Sequence, residues 1–301
     1  MFNKTRIAPT PSGYLHLGNV YSFALTAALA EQSGAKILLR IDDLDRDRVL
    51  PEYVDDIFGT LGFLDIPWDE GPMNSGEFEE RYSQVHRLEL YRRALEDLRA
   101  SGSVFACVCS RSQLSRTVCT CKDKALPLDT PDAAWRLDTT TPRQLNVRIW
   151  SGVGVTGGNA PGSDATIMAT LPADMQNFIV RRKDGFPAYQ LTSMLDDLHY
   201  GVDLVVRGED LRSSTMAQQY LSVVLQKDAF RRISFYHHPL LLGPGHKKLS
   251  KSAGTTSVQH LRKEGYDRQA ICTMIARMLG LPQARPRTWQ ELIGQANSSR
   301  L

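Results

Sequence analysis

Residues 6–19 read RIAPTPSGYLHLGN and run straight into the apolar, helix-like segment 20–32. This order is typical of a strand, a turn and a helix, because two prolines and a glycine break the strand and Asn19 is a good N-cap. A helix that begins this way presents free backbone N–H groups and the positive end of its dipole, so it favours anions, above all a phosphate. His16, two residues before Gly18, is predicted to turn a hydrogen-bond donor toward whatever binds there.

A second motif lies far downstream, KKLSKS at residues 247–252. By itself the His-Leu-Gly of the first stretch is a weak signal, since a three-residue match often arises by chance and a lone histidine is more often structural. The lysines by themselves could form a solvated basic turn or a phosphate patch without sequence preference. Together the two stretches resemble the paired signature motifs of class I aminoacyl-tRNA synthetases. Within that class, RIAPTPSG resembles the glutamyl/glutaminyl branch.

The composition is that of an ordinary soluble protein, with 42% hydrophobic and 23% charged residues among 301. A chain of this length can bury a good-sized core and form one large domain or two modest ones. No run of eighteen apolar residues occurs, which predicts no membrane span. The N-terminus enters the first strand with no signal peptide, which predicts a cytoplasmic protein. The net charge of +3 permits a nucleic-acid partner without requiring one.

The first part of the chain has an α/β pattern. Residues 36–41 predict a short buried strand of the parallel type, and a run of acids that begins at Asp42 follows it. Acidic residues at the carboxyl end of a parallel strand lie where open α/β sheets bind their ligands, although a solvated turn would look the same. Residues 51–61 predict a helix, and residues 77–100 predict a long charged helix.

The α/β pattern is interrupted at about residues 106–176 and then resumes. The elements predicted after the interruption are strands at 177–181, 203–210 and 234–242 and a helix at 213–225. An insertion between the two halves of one nucleotide-binding fold would look like this. We therefore expect a Rossmann-like catalytic domain over residues 1–245. The lysine–serine motif and a short helical tail would fill residues 246–301, without a separate anticodon-binding domain.

Four of the five cysteines are clustered, as Cys107, Cys109, Cys119 and Cys121. In a cytosolic protein clustered thiols indicate a metal rather than disulfides, and two close pairs can give four thiolates to one tetrahedral Zn²⁺. A redox role or chance clustering is the alternative. No nucleophile–base arrangement accompanies the thiols, so we interpret the site as structural, and Cys272 as a small core residue.

The stretch 122–174 is loose in sequence and predicts a turn-rich insertion. Within it, GVGVTG at residues 152–157 formally matches a dinucleotide-binding fingerprint. We reject that match, because the fingerprint requires a helix to begin at its glycines and the sequence that follows continues as a loop.

Five blocks occur in the order, and at about the spacing, of the glutamyl-tRNA synthetase catalytic domain: RIAPTPSGYLHLGN, LRIDDLD, FIVRRKDGFPAYQL, DDLHYGVDLVVRGEDL and KKLSKS. Full-length enzymes of that kind carry a large anticodon-binding region after the lysine–serine motif, and here only about fifty residues follow. This shortness, the AYQL block and the thiol cluster make the chain similar to the glutamyl-queuosine tRNA(Asp) synthetases. The resemblance implies an enzyme that activates glutamate with ATP and attaches it to the queuosine base of a tRNA anticodon.

The resemblance also implies roles for particular residues, with His16, Lys248 and Lys251 as the catalytic ones. ATP, accompanied by Mg²⁺, would be bound by residues of the two signature motifs, namely His16, Gly18, Asn19, Lys248, Leu249, Ser250 and Lys251. Glutamate would be bound by Arg6, Ala8, Thr10, Asp42, Tyr189 and Arg207. Arg6 would take the side-chain carboxylate with its bidentate fork, and Asp42, where the family usually has Glu, the α-ammonium. Ser193 stands where ordinary glutamyl-tRNA synthetases tend to carry Asn.

Other interpretations stay possible on the sequence alone. Tyr189 could be a plain core aromatic and Arg207 a surface ion-pair partner. The chain could be a truncated glutamyl-tRNA synthetase that charges a tRNA 3′ end, an adenylyltransferase acting on a small molecule or carrier, or a non-catalytic tRNA-binding paralogue. The amphipathic tail around residues 266–279 could contact RNA or only stabilise the catalytic domain. We expect a monomer whose partners are tRNA, with tRNA(Asp) favoured, L-glutamate and ATP, and no membrane.

Overall fold

The computed structural model describes residues 1–151, 163–241 and 257–298. In chain order, the helices and strands of these ranges are β1 (Lys4–Ile7), α1 (Leu17–Ser33), β2 (Lys36–Leu39), α2 (Pro51–Phe63), α3 (Ser75–Glu77), α4 (Leu88–Ala100), β3 (Val104–Cys107), α5 (Arg111–Leu114), β4 (Ala134–Leu137), β5 (Leu145–Trp150), β6 (Asp164–Ala169), β7 (Ile179–Arg181), α6 (Tyr189–His199), β8 (Leu204–Gly208), α7 (Arg212–Val224), β9 (Ser234–His238), α8 (Val258–Lys263), α9 (Arg268–Met278) and α10 (Trp289–Ser298). Two stretches noted in the sequence, GVGVTG and KKLSKS, lie outside the described residues.

Parallel strands form the centre of the fold. β1 and β2 pair in parallel, with Lys4 opposite Lys36. A four-stranded sheet has the order β6-β5-β9-β8, in which β5, β9 and β8 are parallel and β6 is antiparallel to β5. The start of β1 lies beside the start of β8, where the Asp203 N–H donates to the Lys4 carbonyl at 3.0 Å. The α/β class with parallel strands that the sequence predicts is confirmed.

Successive residues of the central strands belong to two different hydrophobic cores. In β8, Leu204 and Val206 pack in the core that contains the apolar face of α1, whereas Val205 packs in the core that contains α6 and α7. The three apolar residues of β2 alternate in the same way. Because successive side chains of a strand point to opposite faces, helices cover both faces of these strands.

The first helix begins at Leu17, three residues earlier than its apolar run suggests. Its N-cap is His16, whose Nδ1 accepts from the backbone N–H groups of Gly18 (3.1 Å) and Asn19 (3.3 Å). The Asn19 side chain in turn accepts from the His16 N–H at 3.1 Å, which completes a capping box. The prediction of Asn19 as the N-cap is therefore wrong, because the histidine ring itself supplies the acceptor.

The long helix predicted over residues 77–100 is interrupted. After α3 the chain forms a π-helical turn at Phe78–Tyr82, leaves helical geometry at Ser83, and passes through a 3₁₀ turn at Gln84–Arg87 before α4 begins. The break brings the Ser83 hydroxyl and the Gln84 N–H to the buried carboxylate of Asp43, at 2.6 and 2.7 Å. A long-range hydrogen bond of this kind leaves no local signal in the sequence.

The stretch predicted to be turn-rich, 122–174, contains β4, β5 and β6 in its described part. β5 joins the four-stranded sheet beside β9. β4 belongs to a separate antiparallel sheet of order β3-β4-β7, in which Cys107 at the end of β3 lies opposite Ala134.

The tail returns to the N-terminal half of the chain. α10 packs against α1, and the Trp289 indole N–H donates to the Asp65 carbonyl at 2.9 Å. Arg268 donates to the Phe63 carbonyl, just at the end of α2, at 3.0 Å. Within the described ranges, no helix is both long and apolar enough to cross a membrane.

Candidate active site

A cavity of about 550 Å³ opens where β1, β2 and β8 end and α1 begins. Every predicted ATP- or glutamate-binding residue that the structure describes lines this cavity, namely Arg6, Ala8, Thr10, His16, Gly18, Asn19, Asp42, Tyr189 and Arg207. The predicted ATP-binding residues Lys248, Leu249, Ser250 and Lys251 lie outside the described residues. The chain on either side of them reaches the cavity region, since Leu241 lines it and Ser257 forms a β-bridge with His16.

The N-terminus of α1 forms one wall of the cavity, with His16 as its cap. Because His16 Nδ1 accepts two backbone N–H groups, the ring proton of the neutral imidazole is on Nε2. The wall therefore combines an Nε2–H donor with the positive end of a helix dipole. This is a suitable place for the phosphate groups of a nucleotide.

Buried guanidinium and carboxylate groups form the base of the cavity. Arg40 binds both oxygens of Asp42, with Nε to Oδ1 at 2.7 Å and Nη2 to Oδ2 at 3.0 Å. Its Nη1 donates to Asp197 Oδ1 at 2.7 Å, and Arg6 Nε donates to the same oxygen at 3.1 Å. Burial raises the pKa of Asp42, although the Arg40 charge and hydrogen bonds oppose this. We call these four residues the front network.

A second network lies behind the first. It contains Asp43 and Asp196, which are the chain neighbours of Asp42 and Asp197. Asp196 accepts from Arg87 Nε (2.8 Å), Tyr91 OH (2.6 Å) and Gln84 Nε2 (2.8 Å). Asp43 accepts from the Ser83 hydroxyl and the Gln84 N–H. We call these six residues the rear network. It ties the broken helix segment before α4 to α6, and it does not line the cavity.

Arg207 lies at the end of β8 with only 3% of its surface exposed. Its Nη2 donates to the hydroxyl of Thr215 and to Gln218 Oε1, whereas its Nε and Nη1 have no partner among the described residues. Burial lowers the pKa of Arg207 to about 10, so the side chain is still a cation at neutral pH. A buried cation with unused N–H groups at the wall of a cavity is well suited to an anionic ligand.

His237 and Arg207 share a hydrogen-bond partner. The Nε2 of His237 lies 2.7 Å from the Thr215 hydroxyl that also binds Arg207. Burial, together with the charge of Arg207, lowers the pKa of His237 to about 3. The imidazole is therefore neutral at physiological pH and adds no second positive charge beside the guanidinium.

The charges at the buried base of the cavity do not balance. Arg6, Arg40 and Arg207 contribute three guanidinium groups, and the front network supplies two carboxylates to them. Asp210 also lines the cavity, but at its exposed rim. Within the described part of the chain, one positive charge at the base is therefore left for a ligand to compensate.

Sequence reasoning missed Arg40 and Asp197 as parts of this site. Arg40 precedes Asp42 by two residues and lies on the same face of the extended chain, which was a usable signal. Asp197 belongs to the pair Asp196–Asp197, and no local pattern tells which member of the pair binds the arginines that line the cavity. Thr215 and Gln218, which hold Arg207, are spaced as neighbours on one face of α7.

The four clustered cysteines meet in space. Their sulfur atoms all lie within 4.8 Å of one another, with separations of 3.6 Å for Cys107–Cys119 and 3.5 Å for Cys109–Cys121. All four are free thiols. Four sulfurs around a tetrahedral Zn²⁺ would be about 3.8 Å apart, given Zn–S bonds of about 2.3 Å. The cluster could therefore hold a metal ion without rearrangement of its backbone.

Comparison with known proteins defines the class. The family model "tRNA synthetases class I (E and Q), catalytic domain" matches residues 3–132 and 165–299. The chain belongs to this family, as the sequence motifs predict. In fold it resembles the glutamate-tRNA synthetase of Elizabethkingia anophelis, with a TM-score of 0.71 and 22% identity over 97% of this chain and 65% of that one.

Curated relatives narrow the comparison within the family. A glutamyl-Q tRNA(Asp) synthetase of Nitratidesulfovibrio vulgaris is 32% identical over 98% of this chain and 92% of its own length. One of Parasynechococcus marenigrum is 35% identical over 91% of this chain and 82% of its own length. Glutamate–tRNA ligase 2 of Nitrosococcus oceani is 33% identical, but the chain spans only 59% of it. The resemblance to the short glutamyl-queuosine group is thereby confirmed.

Proposed function

We propose that the chain is a class I synthetase-type ligase that activates glutamate with ATP and transfers the glutamyl group to the queuosine base of tRNA(Asp). The observation that carries the first half of this proposal is the buried guanidinium of Arg207, which has no counter-charge among the described residues and lines the same cavity as a helix N-terminus that suits phosphates. Relatives matched over nearly their whole length, which are named for the queuosine reaction, support the second half.

The charge balance favours glutamate over glutamine as the substrate. A glutamate zwitterion carries one net negative charge and would neutralise the base of the cavity, whereas glutamine would leave a buried cation unpaired. Arg6 would take the side-chain carboxylate through its remaining N–H groups, since Nε already binds Asp197 and Nη1 donates to the Val206 carbonyl at 3.0 Å. Asp42 would receive the α-ammonium, with Ala8, Thr10 and Tyr189 shaping the pocket.

Activation requires the α-carboxylate of glutamate to attack the α-phosphorus of ATP in line, which forms glutamyl-adenylate and releases pyrophosphate. Such a step depends on positioning and on stabilisation of phosphate charge rather than on a protein nucleophile. The His16 Nε2–H and the backbone at Gly18 and Asn19 would hold the phosphates. Class I synthetases use Mg²⁺ with ATP, and the ion would neutralise phosphate charge. Lys248 and Lys251 are proposed to compensate charge on the departing pyrophosphate.

The cysteine cluster is proposed to bind Zn²⁺ in a structural role. It belongs to the β3-β4-β7 sheet side of the molecule, and none of its cysteines lines the cavity. Chelation or a Cys119→Ser change should therefore lower the melting temperature and release about one equivalent of zinc, while the KM for glutamate stays the same. Metal analysis of purified protein checks the stoichiometry, and protein free of zinc that melts at the same temperature would contradict the proposal.

A second candidate is charging of a tRNA 3′ end. The observation that favours it is the 33% identity to a glutamate–tRNA ligase, similar to the identity with the glutamyl-Q enzymes. The two candidates share the activation step and differ only in the atom that accepts the glutamyl group.

Glutamate-dependent ATP–pyrophosphate exchange tests the proposal. The assay is run without tRNA, with tRNA(Asp) lacking queuosine and with tRNA(Asp) containing it, and the attached label is then located by nuclease digestion. Exchange without tRNA and label in the anticodon of queuosine-containing tRNA alone are the expected results. Label on the terminal ribose would establish the second candidate, and absence of exchange with glutamate would refute both.

A further inference from the structure

Leu15 precedes His16 in the turn that leads into α1, here called the His16 turn, and its backbone is held from two sides. The Leu15 N–H donates to Asp56 Oδ2 on α2 at 2.8 Å, and the Leu15 carbonyl accepts from the Val258 N–H on α8 at 2.8 Å. The Leu15 side chain is 3% exposed. Leu15 belongs to no helix or strand, so these two contacts replace the regular hydrogen bonds that would otherwise fix its orientation.

Asp56 is an unusual residue for its position. It lies on the buried face of α2 with 7% of its surface exposed, and its second oxygen accepts from the Thr60 hydroxyl at 3.3 Å. Burial raises its pKa, while the hydrogen bonds from Leu15 and Thr60 and the charge of Arg262 oppose this. A buried carboxylate is unfavourable for packing unless it has partners, so its presence calls for a specific partner. That partner is the backbone of the His16 turn.

The tail contributes to the same arrangement. Arg262 of α8 donates to the Gly59 carbonyl at 3.2 Å and lies over the Phe63 ring, with its guanidinium carbon 4.7 Å from the ring centroid. α8 therefore rests on α2 while its first residue, Val258, binds the Leu15 carbonyl. The His16 turn is clamped between α2 and the start of α8.

We propose that Asp56 is a positioning residue for adenylate formation, an inference that rests on the function proposed above. By holding the Leu15 N–H, its carboxylate sets the orientation of the Tyr14–Leu15 peptide, while the Val258 N–H holds the next peptide, Leu15–His16, through the Leu15 carbonyl. The Nδ1 bonds hold the ring on α1, and the two bonds at Leu15 hold the backbone before it, so together they fix the direction in which the His16 Nε2–H meets the nucleotide phosphates. Small displacements of a positioned group reduce the rate more than they reduce binding of a remote substrate group.

The test compares Asp56→Ala, Asp56→Asn and the control Asp55→Asn, which changes an exposed carboxylate one residue away. Asparagine keeps an oxygen that can accept from the Leu15 N–H, and the Thr60 hydroxyl can turn to accept from its amide. In pyrophosphate exchange, Asp56→Ala should lower kcat by about 10- to 100-fold while the KM for glutamate changes less than about twofold. Asp56→Asn should recover most of the rate, and Asp55→Asn should match the wild type.

A second measurement needs no substrate. The ¹⁵N NMR signals of the His16 ring, assigned with a variant that lacks His16, should show a single Nε2–H tautomer in the wild type and in Asp56→Asn. In Asp56→Ala they should shift toward a mixture of tautomers.

Two results would overturn the inference. One is a folded Asp56→Ala protein with wild-type kcat and unchanged His16 signals. The other is an activity loss that follows only the fraction of folded protein and that Asp56→Asn does not rescue. Wild-type protein without glutamate-dependent exchange would refute the proposed function instead, and the ring signals would then decide the role of Asp56 by themselves.

Discussion

The front and rear networks share two acidic pairs, Asp42–Asp43 and Asp196–Asp197, but they differ in how completely their polar groups are hydrogen-bonded. Asp42 and Asp197 face guanidinium groups at the cavity, whereas Asp43 and Asp196 face the segment before α4. In the rear network, both oxygens of each carboxylate accept hydrogen bonds from protein donors. In and beside the front network, Asp197 Oδ2 and two nitrogens of Arg207 have no partner among the described residues.

This difference separates a structural site from a binding site. A buried polar group without a partner destabilises the folded protein, and native proteins satisfy nearly all such groups. The rear network, whose carboxylates are fully hydrogen-bonded, stabilises the packing of α4 on α6. The front network is incompletely hydrogen-bonded and leaves donors and acceptors for a substrate. Substitutions behind the cavity should therefore reduce stability, and substitutions at the cavity should reduce activity.

The largest effect is expected from Asp196→Asn. Removal of the charge leaves Arg87 buried without its counter-ion, and breaking a buried pair in this way costs about 3–5 kcal/mol of unfolding free energy. Urea denaturation measures the loss, with Asp97→Asn on the exposed face of α4 as the control. The KM for glutamate should not change at a temperature where the variant is folded. If this variant were as stable as the wild type, the rear network would not have the stabilising role that distinguishes it from the front network.

Arg207→Gln should reduce activity and leave stability almost unchanged, the opposite of Asp196→Asn. Glutamine can still bond to Thr215, but the cation that an acidic substrate would pair with is lost. We expect kcat/KM for glutamate to fall by about 100-fold, close to 3 kcal/mol, and the free energy of unfolding to change by less than about 1 kcal/mol. Arg212→Gln, which changes an exposed arginine at the start of α7, is the control. A stability loss as large as that of Asp196→Asn would place Arg207 with the rear network.

Tyr91→Phe should have a smaller effect on the rear network. It removes one hydroxyl that donates to Asp196 Oδ1 at 2.6 Å, while Arg87 and Gln84 still bind the carboxylate. A loss of about 1 kcal/mol in unfolding free energy is expected, with unchanged glutamate kinetics. Tyr266→Phe, at an exposed position, serves as the control. A changed KM for glutamate with unchanged stability would be the contradictory result.

The smallest effect concerns pH. His237 has a pKa of about 3 in the folded protein, below its unfolded value, because burial and the Arg207 charge oppose protonation. Its contribution to stability is complete above the unfolded pKa of about 6.5 and is lost as the pH falls toward 3, by at most about 1.4 kcal/mol per pH unit. The stability advantage of the wild type over His237→Gln should therefore shrink on acidification. Urea denaturation at pH 7 and pH 6 measures it, with an expected change of about 0.7 kcal/mol, and a constant difference would mean that His237 has the same pKa in the folded and the unfolded protein.

Much of the candidate site was predictable because it follows short motifs. Arg6, His16, Asp42 and Arg207 stand at ends of strands or at the start of a helix, and the ends of parallel strands meet at one edge. The cap of α1 was predicted one turn too late, since Asn19 is the stronger cap by residue type and a histidine ring seldom takes that role. The break at Ser83 was missed because its cause, Asp43, is forty residues away.

The sequence by itself determined the α/β class, the family and most of the residues that line the cavity, because these depend on local patterns and on motif spacing. Only the tertiary structure decided which member of each acidic pair binds the arginines that line the cavity, which backbone N–H the Asp56 carboxylate accepts, and which N–H groups of Arg207 are left without a partner among the described residues. Those outcomes depend on contacts between residues far apart in the chain, and a side chain's residue type does not specify which distant group it will meet.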